Sequence, residues 1–381
     1  FELKSVDPAP LPGSQSIWSL DTLEPGASEK ITLHGIIRGD PEEVKAFHLR
    51  VGRYRPESDT WFLVAERSVG PTIASPFLFV QSLLNGNRRG SLAPGSRVEG
   101  VVVFKNNLPS AIENVTVTVA MPESLIELGS VQAEDGFYDV TRRALVWNPS
   151  SSLRLRELEP AREDRLAYSF IVKQNLPIRR FADKNFVLPV TTVIDTASPP
   201  AEFRGVSLEY RDGIEFRIES RLALAGRITY YESSLPTSGP LPPRPRATTV
   251  YTVALELSSG ANDLRDVEVR AELAGNVTWR EGASASVGSV TFNEATQGIT
   301  WQISELPAAT GILRPSARAT FQVALTPAEN QVGQTPAVVK SIRASGRDTF
   351  TDTVETDSIE DLSTELTSDP QSNPGEWRVV P

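Results

Sequence analysis

One pattern of residues occurs twice in this chain, and the duplication constrains the fold more than any other feature. The matched pairs are Val115 and Val267, Trp147 and Trp301, and Pro160 and Pro315. Their offsets are 152, 154 and 155 residues. Such a small drift over the length of a domain is what loop insertions in a duplicated unit produce. The sequence therefore predicts at least two copies of one domain.

A third, partial copy opens the chain. Trp18 takes the place of Trp147, and the strand-like segment Lys30–Leu33 follows it. Only 17 residues precede Trp18, which is too few for the early strands of a copy. We expect residues 1–75 to be the C-terminal part of a domain whose N-terminal strands are missing. We also expect that Phe1 is not the natural start of the protein, through either processing or truncation.

Within each full copy, apolar and polar residues alternate with a period of two. Clear examples are Val115–Val119, Phe186–Val190, Ile214–Ile218 and Tyr251–Leu255. Half-buried antiparallel strands show this period because successive side chains face opposite sides of the sheet. The 29 prolines and 25 glycines in 381 residues also suit many short strands and turns. The sequence predicts an all-β fold of tandem immunoglobulin-like β-sandwich domains.

Two segments rich in proline and serine, Gly70–Pro76 and Ala197–Ala201, favour domain boundaries. The predicted domains are residues 1–75, 76–200 and 201–356, followed by an acidic C-terminal tail at 357–381.

The end of the chain leaves two interpretations open. From Asp352 to Pro381, eight acidic residues stand against one arginine. This stretch is either a solvated tail or an extended strand docked by Trp377 and Val379.

The composition excludes several kinds of partner and chemistry. The chain has 38 basic and 48 acidic residues, with a formal net charge of −10. It lacks the concentrated basic face that a nucleic acid requires. Because cysteine is absent, the sequence has no disulfide, thiolate metal site or cysteine nucleophile. It also has no run of about 18 apolar residues that would span a bilayer.

The residues offer little for catalysis. The two histidines, His34 and His48, lie in predicted strands, and no Gly-x-Ser-x-Gly segment places an activated serine in the chain. The candidate glycosidase carboxylates are Glu134, Asp135, Asp357, Glu360 and Asp361. They lie in turn-like or acidic stretches, where solvated charge is the usual explanation. We predict no enzymatic activity and assign no catalytic residue.

Calcium is the metal that the residues best suit. The turn with Asn262, Asp263 and Asp266 offers three oxygen-bearing side chains. The related turn of the preceding copy has Asn106, Asn107 and Asn114. Asn and Asp are also ordinary turn residues. We predict no cofactor and assign no metal ligand, and calcium remains the alternative.

The tryptophans divide into two groups. Trp18, Trp147 and Trp301 recur in the copies, which favours a shared packing role over stacking on a carbohydrate. Trp61 and Trp377 have no counterpart, so they are the better candidates for a surface contact.

The chain as a whole, most strongly from about residue 205 onward, resembles a known class of surface proteins. The likeness is carried by Thr237–Pro243, Thr249–Thr252, Val290–Asn293, Gly298–Trp301, Phe321–Leu325, Gln331–Gly333 and Ser368–Pro370. These segments resemble bacterial immunoglobulin-like repeats of S-layer and other envelope proteins. More specifically, they resemble surface proteins of candidate-phyla (Patescibacteria) bacteria. The resemblance implies an exported protein without an assigned activity, tethered by an upstream transmembrane helix. The present sequence lacks that helix.

From these features we predict an extracellular, non-enzymatic structural or adhesive protein of the cell surface, acting as a stalk or an envelope-layer component. The alternative is a carbohydrate-binding surface module, and a glycoside hydrolase ranks third. The expected partners are neighbouring copies or envelope components, and glycans under the alternative. Nucleic acid is not expected, and contact with a membrane is expected only through an anchor outside this chain.

Overall fold

The computed structural model describes residues 2–14, 16–20, 22–37, 43–55, 57–73 and 75–381. The fold is all-β, and the described residues include three 3-10 helices, at Leu153–Leu155, Ala201–Phe203 and Glu329–Gln331. The first strands are β1 Glu2–Asp7, β2 Thr32–Ile36, β3 Phe47–Arg55 and β4 Thr60–Val69. Within the described residues, no helix is long and apolar enough to cross a membrane.

A first β-sandwich follows these strands. Its strands are β5 Leu78–Leu84, β6 Arg89–Leu92, β7 Arg97–Asn106, β8 Ile112–Ala120, β9 Ile126–Ala133, β10 Phe137–Asp139, β11 Ala144–Trp147, β12 Glu157–Leu158, β13 Glu163–Val172, β14 Val187–Ser198 and β15 Tyr210–Ile218. One sheet has the order β5-β7-β13-β9, and the other has β10-β11-β8-β14-β15. Strand β6 adds to β15 in parallel, and β12 pairs with β8.

A second β-sandwich has the same plan. Its strands are β16 Leu222–Thr229, β17 Thr249–Ser259, β18 Leu264–Leu273, β19 Val277–Ala285, β20 Ser289–Asn293, β21 Gly298–Leu306, β22 Ala317–Leu325, β23 Ala337–Asp348, β24 Val354–Ser358 and β25 Leu362–Ser363. The sheets have the orders β16-β17-β22-β19 and β20-β21-β18-β23-β24, and β25 pairs with β23.

The two sandwiches are immunoglobulin-like. In the lettering of that fold, the smaller sheet of each has the order A-B-E-D and the larger contains C-F-G. Strands β8 and β18, the two C strands, bury alternate residues, which include Val115 and Val117 in the first and Val267 and Val269 in the second. The predicted fold class is confirmed.

Each sandwich has its own core, and the boundary between the two cores lies between β15 and β16. The first core ends at Ile218 and the second begins at Leu222. The sequence-based boundary at residue 201 therefore differs from the strand pairing, because β15 pairs with β14 of the first sandwich. The proline-rich segment at Ala197–Ala201 connects two neighbouring strands of one sheet.

The acidic end of the chain packs on the second sandwich. Val379 is 1% exposed, Leu366 belongs to the second core, and Trp377 packs against that core. The backbone of Val379 bonds with Gly333 and Gln334. The sequence left two interpretations open, a solvated tail or a docked segment. The contacts of Trp377 and Val379 agree with the docked segment.

Strands β1 to β4 form two separate ribbons, β1-β2 and β3-β4. Among the described residues before Leu78, no side chain is fully buried.

Candidate functional site

The two histidines lie on the open ribbons. His34 on β2 is exposed and pairs across the ribbon with Ser5. The ring nitrogen Nδ1 of His48 lies 2.7 Å from Oγ of Ser68 on β4. A hydrolytic triad needs a third group to orient the imidazole. Among the described residues, no hydrogen bond joins His48 to a carboxylate, and the pair is a cross-strand contact on an exposed surface.

Four of the five candidate carboxylates are engaged in structural contacts, and the fifth, Glu360, is exposed. Glu134 and Asp135 both face Arg154, at 3.5 and 3.8 Å. Asp357 accepts a hydrogen bond from the backbone N–H of Leu224, and Asp361 accepts one from that of Ser341.

The turn suggested for calcium instead forms contacts between the two sandwiches. Asp263 Oδ1 accepts from the N–H of Ala308, and its Oδ2 lies 2.7 Å from Lys184 Nζ in the first sandwich. Asp266 is exposed beside Arg265. Within the described residues, no group of three or more acidic or histidine side chains is arranged to hold a metal.

The corresponding asparagines of the first sandwich also bond within the protein. The Asn106 amide donates to the carbonyls of Ser110 and Leu158. Asn107 Nδ2 donates to the carbonyl of Pro76, and Asn114 Nδ2 to Ser198 Oγ.

A buried polar network connects the two sandwiches. We call it the joint, and it consists of the connector Glu219–Arg221 with Asn262 and Asp348. Oδ2 of Asp348 accepts from the backbone N–H of Ser220 and from the Asn262 amide, both at 2.7 Å. Asn262 Nδ2 also donates to the carbonyl of Ile218, the last residue of β15.

Burial makes this network significant. Asp348 and Asn262 are 0% exposed, and Ser220 is 2% exposed. A buried polar group is costly unless it is hydrogen-bonded, so each member requires the others in place. The joint therefore fixes the end of β15 against the loops of the second sandwich.

Contacts at the edge of the joint add to the network. The Arg217 guanidinium donates to the carbonyl of Phe350 at 2.8 Å and lies 5.0 Å above that ring. Arg314 of the second sandwich lies 4.5 Å above the ring of Phe181 in the first.

One carboxylate near the joint has an altered acidity. Burial raises the pKa of Glu355 above its ordinary value, and the negative charges of Glu219 and Asp348 raise it further. The hydroxyl of Thr353 donates to Glu355 and opposes the shift.

The repeated tryptophans are packing residues. Trp147 and Trp301 are 0% and 1% exposed, and they lie on the equivalent strands β11 and β21. Each indole Nε1 donates to a backbone carbonyl just after the D strand, Glu134 in one and Val287 in the other, at 2.8 and 2.9 Å. The prediction that they occupy equivalent positions is confirmed.

The two unmatched tryptophans differ from each other. Trp61 is 49% exposed, and its ring covers Gly52 of the neighbouring strand. Trp377 is partly buried against the second core. Of these two tryptophans, Trp61 is the one that offers a broad aromatic surface to a partner.

A groove lies on the outer face of the second sandwich. It has a volume of about 620 Å³ and adjoins a second groove of about 440 Å³. Glu268 and Arg270 of β18 line both grooves and form an ion pair. Hydroxyl and amide side chains surround them, including Thr300, Gln302, Ser345, Thr356 and Ser358. This surface can donate and accept many hydrogen bonds.

The groove residues are peculiar to the second copy. At the repeat offset of 152 residues, Thr118 takes the place of Arg270. Val146 and Val193 flank Thr118 on the neighbouring strands. The inward faces of the copies are alike, whereas the outward faces differ.

Sequence reasoning found Asn262 and Asp263 but assigned them to a possible ion. It missed Ser220 and Asp348, which lie 128 residues apart and meet only in the fold. It also missed the groove, because polar residues on the outer face of a strand carry no distinguishing pattern.

No protein-family model matches the chain. No curated protein matches it in sequence. Among solved structures, the chain is similar to the C-terminal domain of the Streptococcus pyogenes antigen I/II-family protein AspA. The identity is 10%, the match covers 75% of this chain and 99% of that one, and the TM-score is 0.30.

Two further structures show weaker similarity. The C-terminal domain of BspA from Streptococcus agalactiae has 10% identity, coverage of 74% and 99%, and a TM-score of 0.27. AvmM, which catalyses macrocyclisation in alchivemycin A biosynthesis, has 6% identity, coverage of 38% and 89%, and a TM-score of 0.26. Scores this low carry no argument about function, and the assignment of the fold rests on the strand order described above.

Proposed function

We propose that this chain is a non-enzymatic structural or adhesive component of a bacterial cell surface, in which the joint holds two immunoglobulin-like sandwiches at a fixed spacing. The supporting observation is the burial of Asn262, Asp348 and Ser220 between the sandwiches. Interfaces between domains of one chain are usually mobile unless they are large and well packed. A three-residue connector with a fully bonded buried network is suited to a stiff spacer.

Small-angle X-ray scattering of the chain tests this proposal. A compact globule of 381 residues has a radius of gyration of about 21 Å. We expect a clearly larger value with the profile of an elongated particle. A value near that of the globule would contradict the proposal, because the domains would then be folded back on each other.

The joint itself is tested by Asp348→Ala, which leaves the N–H of Ser220 and the amide of Asn262 buried without their acceptor. We expect scattering from a broader range of interdomain angles than in the unchanged chain. Asp357→Ala is the matched control, because this carboxylate bonds a backbone N–H within the second sandwich. Identical scattering from both variants would show that the network does not stiffen the joint.

The groove favours a second candidate function, binding of a carbohydrate. Its hydroxyl, amide and charged side chains can bond a hydroxyl-rich ligand. A glycan array with the unchanged chain, Arg270→Ala and Thr118→Ala tests this alternative. Loss of binding in Arg270→Ala alone would favour it, and absence of binding by the unchanged chain would remove it.

A further inference from the structure

One row of outward side chains crosses the larger sheet of the second sandwich. Because the sheet buries alternate residues, Val269 and Ala344 face the core, and Arg270 and Arg343 face outward. The cross-strand neighbours along β20, β21, β18, β23 and β24, which we call the arginine row, are Thr291, Thr300, Arg270, Arg343 and Ser358. With about 4.8 Å between strands, the arginine row is about 19 Å long, which spans more than one sugar ring.

The centre of the arginine row places two like charges directly opposite each other. Arg270 and Arg343 are cross-strand partners. Like charges in this position destabilise a sheet. Glu268 forms an ion pair with Arg270 and offsets one of the charges. The guanidinium of Arg343 forms no ion pair with a described residue, so its positive charge is left uncompensated.

The carboxylates nearest to Arg343 already have donors within the protein. Glu268 also accepts from Nε2 of Gln302 at 3.4 Å. Asp357 lines the groove, but its Oδ2 accepts from the N–H of Leu224 and its Oδ1 from the N–H of Ser358. Arg343 is therefore the charged group of this surface that is available to an anion from solution.

The first sandwich shows that the fold does not need this pair of charges. Thr118 occupies the place of Arg270, and its cross-strand partner on β14 is Val193. The same sheet thus forms with uncharged residues at both positions. A pair that costs stability and that the fold does not require is typical of a binding site.

Hydroxyl and amide groups flank the arginine row. Ser345 and Thr356 are cross-strand partners in the neighbouring row, and they line the first groove together with both arginines. A guanidinium binds a carboxylate through two parallel N–H bonds, and hydroxyl groups bind the hydroxyls of a sugar. The groove volume of about 620 Å³ lies within the usual range for small-molecule sites, about 300–1,000 Å³. These groups match a sugar that carries a carboxylate.

Uronic acids and sialic acids are the two common sugars of this kind, and the grooves favour the first. A sialic acid carries an N-acetyl methyl group, which gains from an apolar contact. In the part of the chain that the structure describes, the apolar residues that line the grooves are buried; they are Ala271, Ile299 and Ala344. A uronic acid has no such methyl group, and its ring presents hydroxyls beside its carboxylate.

We propose that the arginine row binds a polysaccharide that contains uronic acid, with one carboxylate held by Arg343 and Arg270 and the adjacent hydroxyls held by Ser345 and Thr356. This inference rests on the carbohydrate-binding candidate above and names the class of its ligand. Arg343 is the anchor, because Arg270 is already paired with Glu268.

A glycan array followed by titration in solution tests the ligand class. The probes are oligosaccharides of galacturonate, glucuronate and mannuronate, each as the free acid and as its methyl ester, with neutral and sialylated glycans beside them. We expect the chain to bind a free acid and the matching ester to bind about tenfold more weakly or less, because the ester lacks the charge. Raising the salt from about 0.05 to 0.5 M should weaken binding, since salt screens exposed charges.

Variants of the chain test the anchor. Arg343→Ala should lower the affinity for the same oligosaccharide by about tenfold or more, and Arg343→Lys, which keeps the charge but loses the planar fork, should fall between. Arg280→Ala is the matched control, because it removes one exposed arginine from the other sheet of the same sandwich, and it should leave the affinity unchanged. The Tm of Arg343→Ala should be no lower than that of the unchanged chain, since two like charges are no longer opposed.

Four results would overturn the proposal. They are binding of no uronate oligosaccharide, equal binding of acids and esters, preference for sialylated glycans, and an equal loss of affinity in Arg280→Ala. A clearly lower Tm for Arg343→Ala would also contradict it, because the arginine would then be structural. Neutral glycans that bind and are lost in Arg270→Ala would leave carbohydrate binding standing while this inference fails. None of these results depends on the stiffness of the joint.

Discussion

At the scale of single residues, the repeated tryptophans were predictable and the joint was not. Trp147 and Trp301 lie 154 residues apart at matching places in the duplicated pattern, and the duplication alone predicts that they share a role. Asp348 and Asn262 lie 86 residues apart, and their contact depends on how two sandwiches meet. A pattern in the sequence records which face of a strand is buried, but not which loops come together.

Truncation of either buried tryptophan is expected to destabilise its own sandwich. Trp147→Ala and Trp301→Ala should each lower the free energy of unfolding by about 3–5 kcal/mol, because each opens a large cavity and leaves a carbonyl without its indole donor. Denaturant unfolding measures the change. Trp61→Ala is the control, with an expected effect within about 0.5 kcal/mol. A cost for Trp301→Ala that is no larger than the control's would contradict the assigned packing role.

The raised pKa of Glu355 makes stability depend on pH. The folded chain holds this proton more tightly than the unfolded chain, so ionisation of Glu355 disfavours folding. The contribution of Glu355 to stability therefore falls as the pH rises from 4.5, which is its ordinary pKa, through its raised pKa.

We expect Glu355→Gln to be more stable than the unchanged chain at pH 7, with the difference shrinking below pH 4.5. Thermal unfolding across that range measures it, with Glu360→Gln as the exposed control. Stabilisation that is equal at all pH values would show that charge is not the cause.

At the scale of secondary-structure elements, the period-two pattern predicted most strands. The segments at Val115–Val119, Ile214–Ile218 and Tyr251–Leu255 all lie within strands. The pattern did not identify the partner of each strand. β15 was placed with the following domain, because the proline-rich stretch before it has the composition of a linker.

The C-terminal segment shows why composition alone misleads. Its many acidic residues suggest solvation, yet Leu366 belongs to the second core and Val379 is buried. Val379→Asp should lower the stability of the second sandwich by about 1–3 kcal/mol, because it places a charge in an apolar site. Val354→Asp, at a 57% exposed position, is the control. Hydrogen exchange in β23 compared with β14 shows which sandwich is affected, and equal loss in both would contradict the assignment.

At the scale of the whole molecule, the two hydrophobic cores share no residue. Each sandwich therefore has what an independent folding unit requires. We expect residues 76–221 alone to unfold cooperatively, with a Tm close to that of the corresponding transition in the full chain. Calorimetry of both proteins measures it. Failure of the fragment to fold would show that the first sandwich depends on the second.

The connector Glu219–Arg221 also bears on how such a chain can grow. It joins the last strand of one sandwich to the first strand of the next, so a further copy attached in the same way would be related to its neighbour by the same rotation and translation. Repeating that operation generates a helical array whose length increases by one unit per duplicated gene segment. Unit number would then set the distance spanned, and substitutions on the outward faces could give each unit a different contact without altering the spacing.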